Sequence, residues 1–210
     1  MKEYHKIQTV FLRDPQTNFK TLLIGQYAKL EFEYLKDNPW VFTEKVDGTN
    51  IRVMFDGSSI SFGGKTDNAQ IPAHLVTRLQ NVFLPKLGVF VERFPDGVCL
   101  YGEGYGAKIQ KGGGNYRPEP DFVLFDIKIG DWWLQRPDIE EIATALDIDV
   151  VPIIGIGTLG HMVDKARTGF HSRWGKFTAE GIVARPSIEL KDRSGHRIIT
   201  KIKHRDFVGS

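Results

Sequence analysis

From residue 40 onward, apolar residues recur mainly at period two, in short runs separated by glycine, proline, aspartate and asparagine. Such runs stand at 40–43, 51–55, 98–105, 122–129, 181–184 and 197–203, with shorter ones at 59–62 and 149–154. Helical spacing is confined to 72–94, 137–146 and 159–167. In the first of these, Leu75, Leu79, Val82 and Phe83 share a face, and Pro85 interrupts the pattern. The second opens on Pro137 with acidic residues in its first turn, which suits a helix N-terminus. The first forty residues read as a lead-in with a turn at Asp14-Pro15. Many short strands with a few helices between them predict an α+β fold built on antiparallel sheet.

A chain of 210 residues is expected to fold as one domain, 1–210, with a core that needs no disulfide or metal staple. Apolar residues make up 41% and charged residues 26%, ordinary for a water-soluble protein, and no run approaches a membrane span. Met1 to His5 leads into no apolar stretch, so a cytoplasmic protein without a signal peptide is expected. The lone Cys99 lies in an apolar run and reads as a buried thiol. A net charge of +2 does not argue for nucleic acid by itself, but basic residues cluster at 185–205. A second basic group, Lys108, Lys111 and Arg117, stands in a glycine-rich loop; solvated surface and phosphate-binding surface are both open for these clusters.

Two runs flank an Asp47-Gly48 pair, the commonest signal of a two-residue hairpin turn. A hairpin over 40–55 sets Lys45 opposite Asn50 and Thr43 opposite Arg52, on one face, with Phe42, Val46, Ile51 and Val53 on the other and Glu44 as the misfit. Lys45 then sits on a polar face backed by core, as either a surface charge or a nucleophile. A lysine of ordinary pKa is neutral roughly once in 2,500 molecules at pH 7, a cost of about 4–5 kcal/mol. A nucleophilic Lys45 therefore requires further positive charge nearby.

Four other runs hold polar residues where a plain strand holds apolar ones. They are Tyr101-Gly102-Glu103-Gly104, Phe122-Val123-Leu124-Phe125-Asp126, Glu180-Gly181-Ile182-Val183 and Lys201-Ile202-Lys203. The glycines around Glu103 would let a ligand approach the backbone, and period two puts Lys201 and Lys203 on one face. Together with Lys45-Val46-Asp47-Gly48, in this order across 43–203, they resemble the covalent nucleotidyltransferase superfamily of polynucleotide ligases and capping enzymes. Asn50, five residues after the lysine, is similar to the RNA ligase branch, RNA ligase 2-like.

The resemblance implies an antiparallel-sheet, ATP-grasp-like adenylation domain, a monomer, ATP and Mg2+ (or Mn2+) as cofactors, and no membrane partner. It implies that Lys45 takes AMP from ATP, with Lys201 and Lys203 catalytic beside it and Glu180 toward the metal. The implied ATP-binding set is Glu44, Lys45, Asn50, Lys65, Glu103, Phe125, Lys201 and Lys203, with Glu103 on the ribose and Phe125 against the adenine. AMP would pass to a 5′-phosphate end, and a 3′-hydroxyl would displace it, on RNA held by Arg52, Lys108, Lys111 and Arg117. Two departures stand out. Gly64-Lys65-Thr66 has lysine where the family often has arginine, losing the planar fork. Only seven residues follow Lys203, so a single-domain form without a C-terminal OB-fold or helical domain is expected. The alternatives are a compact DNA ligase, a capping-type guanylyltransferase, a protein-modifying adenylyltransferase, and an end- or nick-binding module of the same fold that does not seal.

Overall fold

The computed structural model describes residues 3–208, and the chain divides into two compact units, each built from two stretches of sequence. The first unit comprises residues 3–5 with Asp47–Val151, the second Lys6–Val46 with residues 152–208. Each has its own sheet and its own apolar core.

In the second unit, β1 (Gln8–Thr9), β13 (Thr200–Lys203), β12 (Gly181–Pro186), β4 (Trp40–Lys45) and β11 (Ile153–Gly157) lie side by side in that order. β1 is parallel to β13, and the other pairs are antiparallel. Period two along these strands sorts their side chains. Trp40, Phe42, Ile182, Ala184 and Ile202 pack with Leu159, Met162, Val163 and Ala166 of α5 (Leu159–Thr168) and with Phe32 of α1 (Leu30–Tyr34). Thr43, Lys45, Val183, Lys201 and Lys203 alternate with them and so fall on the face away from α5. Thr158 caps α5 by accepting from the His161 amide, which fixes where that packing begins. β2 (Phe11–Arg13) and β3 (Leu22–Tyr27) form a separate ribbon, and the turn at Asp14-Pro15 is a short 3-10 helix capped by the Asp14 side chain.

The first unit holds β6 (Ile60–Gly63), β5 (Thr49–Phe55), β7 (Val98–Tyr105), β8 (Asp121–Ile129) and β10 (Asp149–Val150) in that order, with β9 (Trp132–Trp133) also on β8. β10 is parallel to β8 and the rest are antiparallel. α2 (Ala73–Phe83), α3 (Leu87–Arg93) and α4 (Arg136–Ala145) supply Leu75, Leu79, Phe83, Phe90, Ile139 and Ile142 to the core under Ile51, Val53, Leu100 and Leu124. Each such side chain contributes about 1.5–3 kcal/mol on burial. α2 ends at Phe83, and Pro85 sits in a 3-10 turn before α3, as the interrupted periodicity predicts. Cys99 is buried, and burial pushes its thiol up.

The hairpin over 40–55 does not form. β4 pairs with β12 and β11, whereas β5 pairs with β6 and β7, so Val46-Asp47-Gly48 carries the chain from one sheet to another. The register partner of Lys45 is Gly181 and that of Asn50 is Glu103; Thr43 pairs with Val183 and Arg52 with Tyr101. The run at 149–154 likewise splits at Pro152 into β10 and β11, in different sheets. The strand expected over 197–203 forms only from Thr200.

Candidate active site

Lys45, Gly181 and Lys203 occupy one register row across β4, β12 and β13, and Thr43, Val183 and Lys201 occupy the next. Glu180 immediately precedes this row and closes it. Its Oε2 accepts from Lys45 Nζ at 2.6 Å and its Oε1 from Lys203 Nζ at 2.6 Å. Gly181 makes the arrangement possible: a Cβ there would lie 2.2 Å from the Ile202 carbonyl oxygen. All three charged side chains are between 10% and 19% exposed, so water screens their attraction weakly. Lys201 lies one row away on the same face, so lysines gather along these two rows, as suits a phosphate.

Glu44 points the other way, onto the apolar face with Trp40 and Phe42, and is 1% exposed. Its Oε2 accepts from the Arg173 amide at 2.9 Å, and its Oε1 is buried without a hydrogen-bond partner among the described residues. Burial holds its carboxyl above the ordinary carboxylate range, against the lowering effect of Ser172 and Arg173.

In the first unit, Asn50, Glu103 and Val123 form a row across β5, β7 and β8, and Arg52, Tyr101 and Asp126 form another. Between these rows the register slips on β8: Tyr101 pairs with Asp126 and Gly102 with Leu124, leaving Phe125 as the extra residue of a β-bulge. The bulge re-aims Phe125, which is half-buried and edge-on to Tyr4 at 5.1 Å between ring centres. Asn50 Oδ1 is buried without a partner among the described residues, an acceptor awaiting a donor. The glycines flanking Glu103 are required by packing: Cβ atoms at Gly102 and Gly104 would strike Phe122 at 2.2 Å and Leu75 at 2.4 Å.

The Asp47-Gly48 pair is held by the glycine-rich loop, which the sequence reading credited only with positive charge. The Asp47 amide donates to Tyr116 Oη at 3.1 Å, and Gln110 Nε2 donates to the Gly48 carbonyl at 3.1 Å. A Cβ on Gly48 would lie 2.2 Å from the Gly104 carbonyl, so only glycine fits against β7 here. An aromatic hydroxyl inside a glycine run was the one available signal for Tyr116.

A sequence profile of the RNA ligase family matches residues 38–203. The chain belongs to the RNA ligase family. No curated protein sequence matches it. Among solved structures, Naegleria gruberi RNA ligase with PPi superimposes at a TM-score of 0.69 and 18% identity, over 99% of this chain and 57% of that one. A point mutant of the same ligase with ATP and Mn gives 0.70 and 17%, over 98% and 59%. Another with AMP and Mn gives 0.68 and 18%, over 97% and 56%. At such identity the likeness establishes the fold, the mixed α+β architecture with mainly antiparallel sheets. The chain spans somewhat under three-fifths of the length of these ligases.

The RNA ligase fold distributes the remaining expected residues unevenly. Lys65 is exposed in the loop after β6. Arg52 is 1% exposed, donating from Nε to the Gly64 carbonyl at 2.9 Å and pairing with Asp67 at 2.7 Å, so it braces the Lys65 loop. Lys108 and Lys111 are exposed, and Lys108 has a positive φ of 65°. Arg117 is half-buried and paired with Asp121, to which Arg78 also binds. Among the described residues no three acidic, histidine or cysteine side chains gather to ligate a metal, and no helix is long and apolar enough to cross a membrane.

Proposed function

We propose that this chain is an ATP-dependent RNA ligase that works through a lysyl-AMP intermediate on Lys45. The observation that carries the reading is the Glu180 carboxylate bridging Lys45 and Lys203 within one register row of a family-matched sheet. The Lys45 Nζ forms a bond to the α-phosphorus of ATP as the bond to the bridging oxygen breaks and pyrophosphate leaves. Glu180 Oε2 is the nearest acceptor for the proton that Lys45 must shed. Lys201 and Lys203 stabilise the charge that gathers on the phosphoryl oxygens, and their field favours neutral Lys45 once nucleotide phosphates compete for Glu180's other partner.

Glu103 has the acceptor oxygens for the ribose hydroxyls, Phe125 on its bulge offers an apolar plate to adenine, and the orphan Oδ1 of Asn50 suits a donor brought by the ligand. Lys65 completes the proposed ATP-binding set, to which Glu44, its side chain on the opposite face of β4, belongs only through the strand that carries Lys45. The AMP then moves to the 5′-phosphate of an RNA end, restoring Lys45, and a 3′-hydroxyl displaces AMP to form the phosphodiester. Lys108, Lys111 and Arg117 would hold the RNA, with Arg52 acting through the Lys65 loop.

Glu180 supplies the kind of carboxylate that a divalent cation of the magnesium type uses, since such an ion binds through one or two carboxylates plus phosphates and keeps its waters. Such an ion, Mg2+ or Mn2+, would supply neutralisation of phosphate charge at Glu180. The Naegleria structures with ATP and Mn support this pairing of cofactors.

The test is covalent labelling. Protein freed of bound nucleotide and incubated with α-labelled ATP and Mg2+ is expected to retain label, and Lys45→Ala to retain none. Wild-type protein that never labels refutes the ligase reading, and strong labelling from GTP moves it to the capping class.

A further inference from the structure

Between Asp164 and Glu180 the sequence carries Lys165, Arg167, Arg173 and Lys176, three aromatic residues and no carboxylate. Lys165 and Arg167 lie over the rings of Phe170 and Phe207, which occupies them within the unit. Arg173 and Lys176 are exposed; the Arg173 charge acts on Glu44, but neither side chain closes a salt bridge among the described residues. They stand on a short arm over 171–178. His171 and Thr178 bridge its base, the Ser172 amide donates to the Phe177 carbonyl at 2.9 Å, and the Ala179 amide to Phe170 at 2.9 Å.

A cluster of surface charges is usually just solvated. This one is anchored at a cost. Glu44 is buried on β4 and holds the Arg173 amide, with its second oxygen unpartnered among the described residues. An acceptor in that position is expensive by about 1–3 kcal/mol or more, and freely solvated cations need no such tether. The arm therefore has a fixed foot, one residue from Lys45, and it runs directly into Glu180. Half-buried Trp174 stands between the two cations.

We propose that this arm binds the end of a single-stranded RNA, with Arg173 and Lys176 on backbone phosphates and the Trp174 ring as a stacking surface for a base. The proposal rests on the ligase reading. Interleaved cations and aromatics are what single strands require, because phosphates repeat along them and every base offers a face. Tethering to β4 and Glu180 places the RNA contact a fixed number of bonds from the lysine that carries AMP.

The experiment measures anisotropy of a labelled, 5′-phosphorylated single-stranded RNA against salt, beside α-labelled ATP incorporation, for wild type, Arg173→Ala/Lys176→Ala and Arg173→Glu/Lys176→Glu. The alanine pair is expected to label Lys45 as wild type does while its log–log salt slope becomes shallower by about 1.4, two phosphate contacts on a single strand. The glutamate pair is expected to lose measurable RNA binding and keep labelling. Wild-type slope in the alanine pair overturns the proposal, as does a parallel fall in labelling, which makes the arm a structural support. Absence of labelling in wild type is a different failure, that of the ligase reading itself.

Discussion

Gly181→Ala tests whether the register row is what holds the two lysines on Glu180. The added Cβ would lie 2.2 Å from the Ile202 carbonyl oxygen and 2.7 Å from Lys203 Cα, where ordinary contact begins at 3.4 Å. Both obstacles are backbone, so no rotamer change relieves them, and β12 and β13 must part locally by about 1 Å. Overpacking of this kind costs about 1–3 kcal/mol, and one or two ladder hydrogen bonds stretched out of range add about 0.5–1.5 kcal/mol each. A loss of about 2–4 kcal/mol corresponds to a fall in melting temperature of roughly 4–16 °C for a chain this size. The same separation lengthens the 2.6 Å contacts that Glu180 makes to Lys45 and Lys203. Lysine labelling, measured well below the melting point, should drop at least about tenfold, which needs only 1.4 kcal/mol at the transition state. Gly88→Ala is the control: nothing lies within 4 Å of its Cβ position and it sits in α3, so it should match or exceed wild-type stability by up to about 1 kcal/mol. A Gly181→Ala protein that melts and labels as wild type refutes the reasoning.

Tyr116→Phe keeps the ring against Tyr105 but removes the acceptor of the Asp47 amide. It should cost about 1–3 kcal/mol in chemical denaturation and lower the maximal labelling rate more than it raises the apparent KM for ATP; an unchanged rate would show that the Asp47-Gly48 link needs no brace. Glu44→Gln addresses pH. Because the folded-state pKa of Glu44 is raised, the folded protein holds a proton that the unfolded chain releases near pH 4.3, so stability from this group falls as pH rises from there through the folded value. Melting temperature against pH should be flatter in the glutamine variant over that window, and parallel curves would mean that Glu44 is not the titrating group.

What the sequence made legible follows from how local each signal is. Alternation in β7, β8 and β12 and helical spacing in α2, α4 and α5 are properties of single segments, and those elements form. The hairpin rested on a local turn signal that competed with partners the sequence does not announce. β4 finds β12 and β11, and β5 finds β7 and β6, so each strand is paired along both edges, which a hairpin alone does not offer. Pro152 hid a change of sheet of the same kind, since a break in a strand does not say where its second half goes. For the site, period two sufficed to put Lys201 and Lys203 on one face. The Glu180 bridge came from register, the bulge at Phe125 from a slip in pairing, and the Tyr116 brace from a loop, none of which a linear pattern encodes.

The wrong hairpin still led to the right face for Lys45, and the reason is physical. Alternation belongs to the strand alone, so whichever partner β4 takes, Lys45 and Glu44 must point in opposite directions. The two residues then meet opposite electrostatic conditions one peptide bond apart. Lys45 shares a charged row with Glu180 and Lys203, and on the proposed reading a phosphate or metal would draw that carboxylate away. Glu44 lies in an apolar interior, held by the Arg173 amide and the Ser172 side chain, with its Oε1 left without a partner among the described residues. A nucleophile needs the first environment and an anchor needs the second. If both belonged to one polar patch, Glu44 would pair with Lys45 and oppose its deprotonation. Sending the acid through the sheet removes that competitor and uses it to fix the arm at 171–178 relative to the strand that carries the proposed nucleophile.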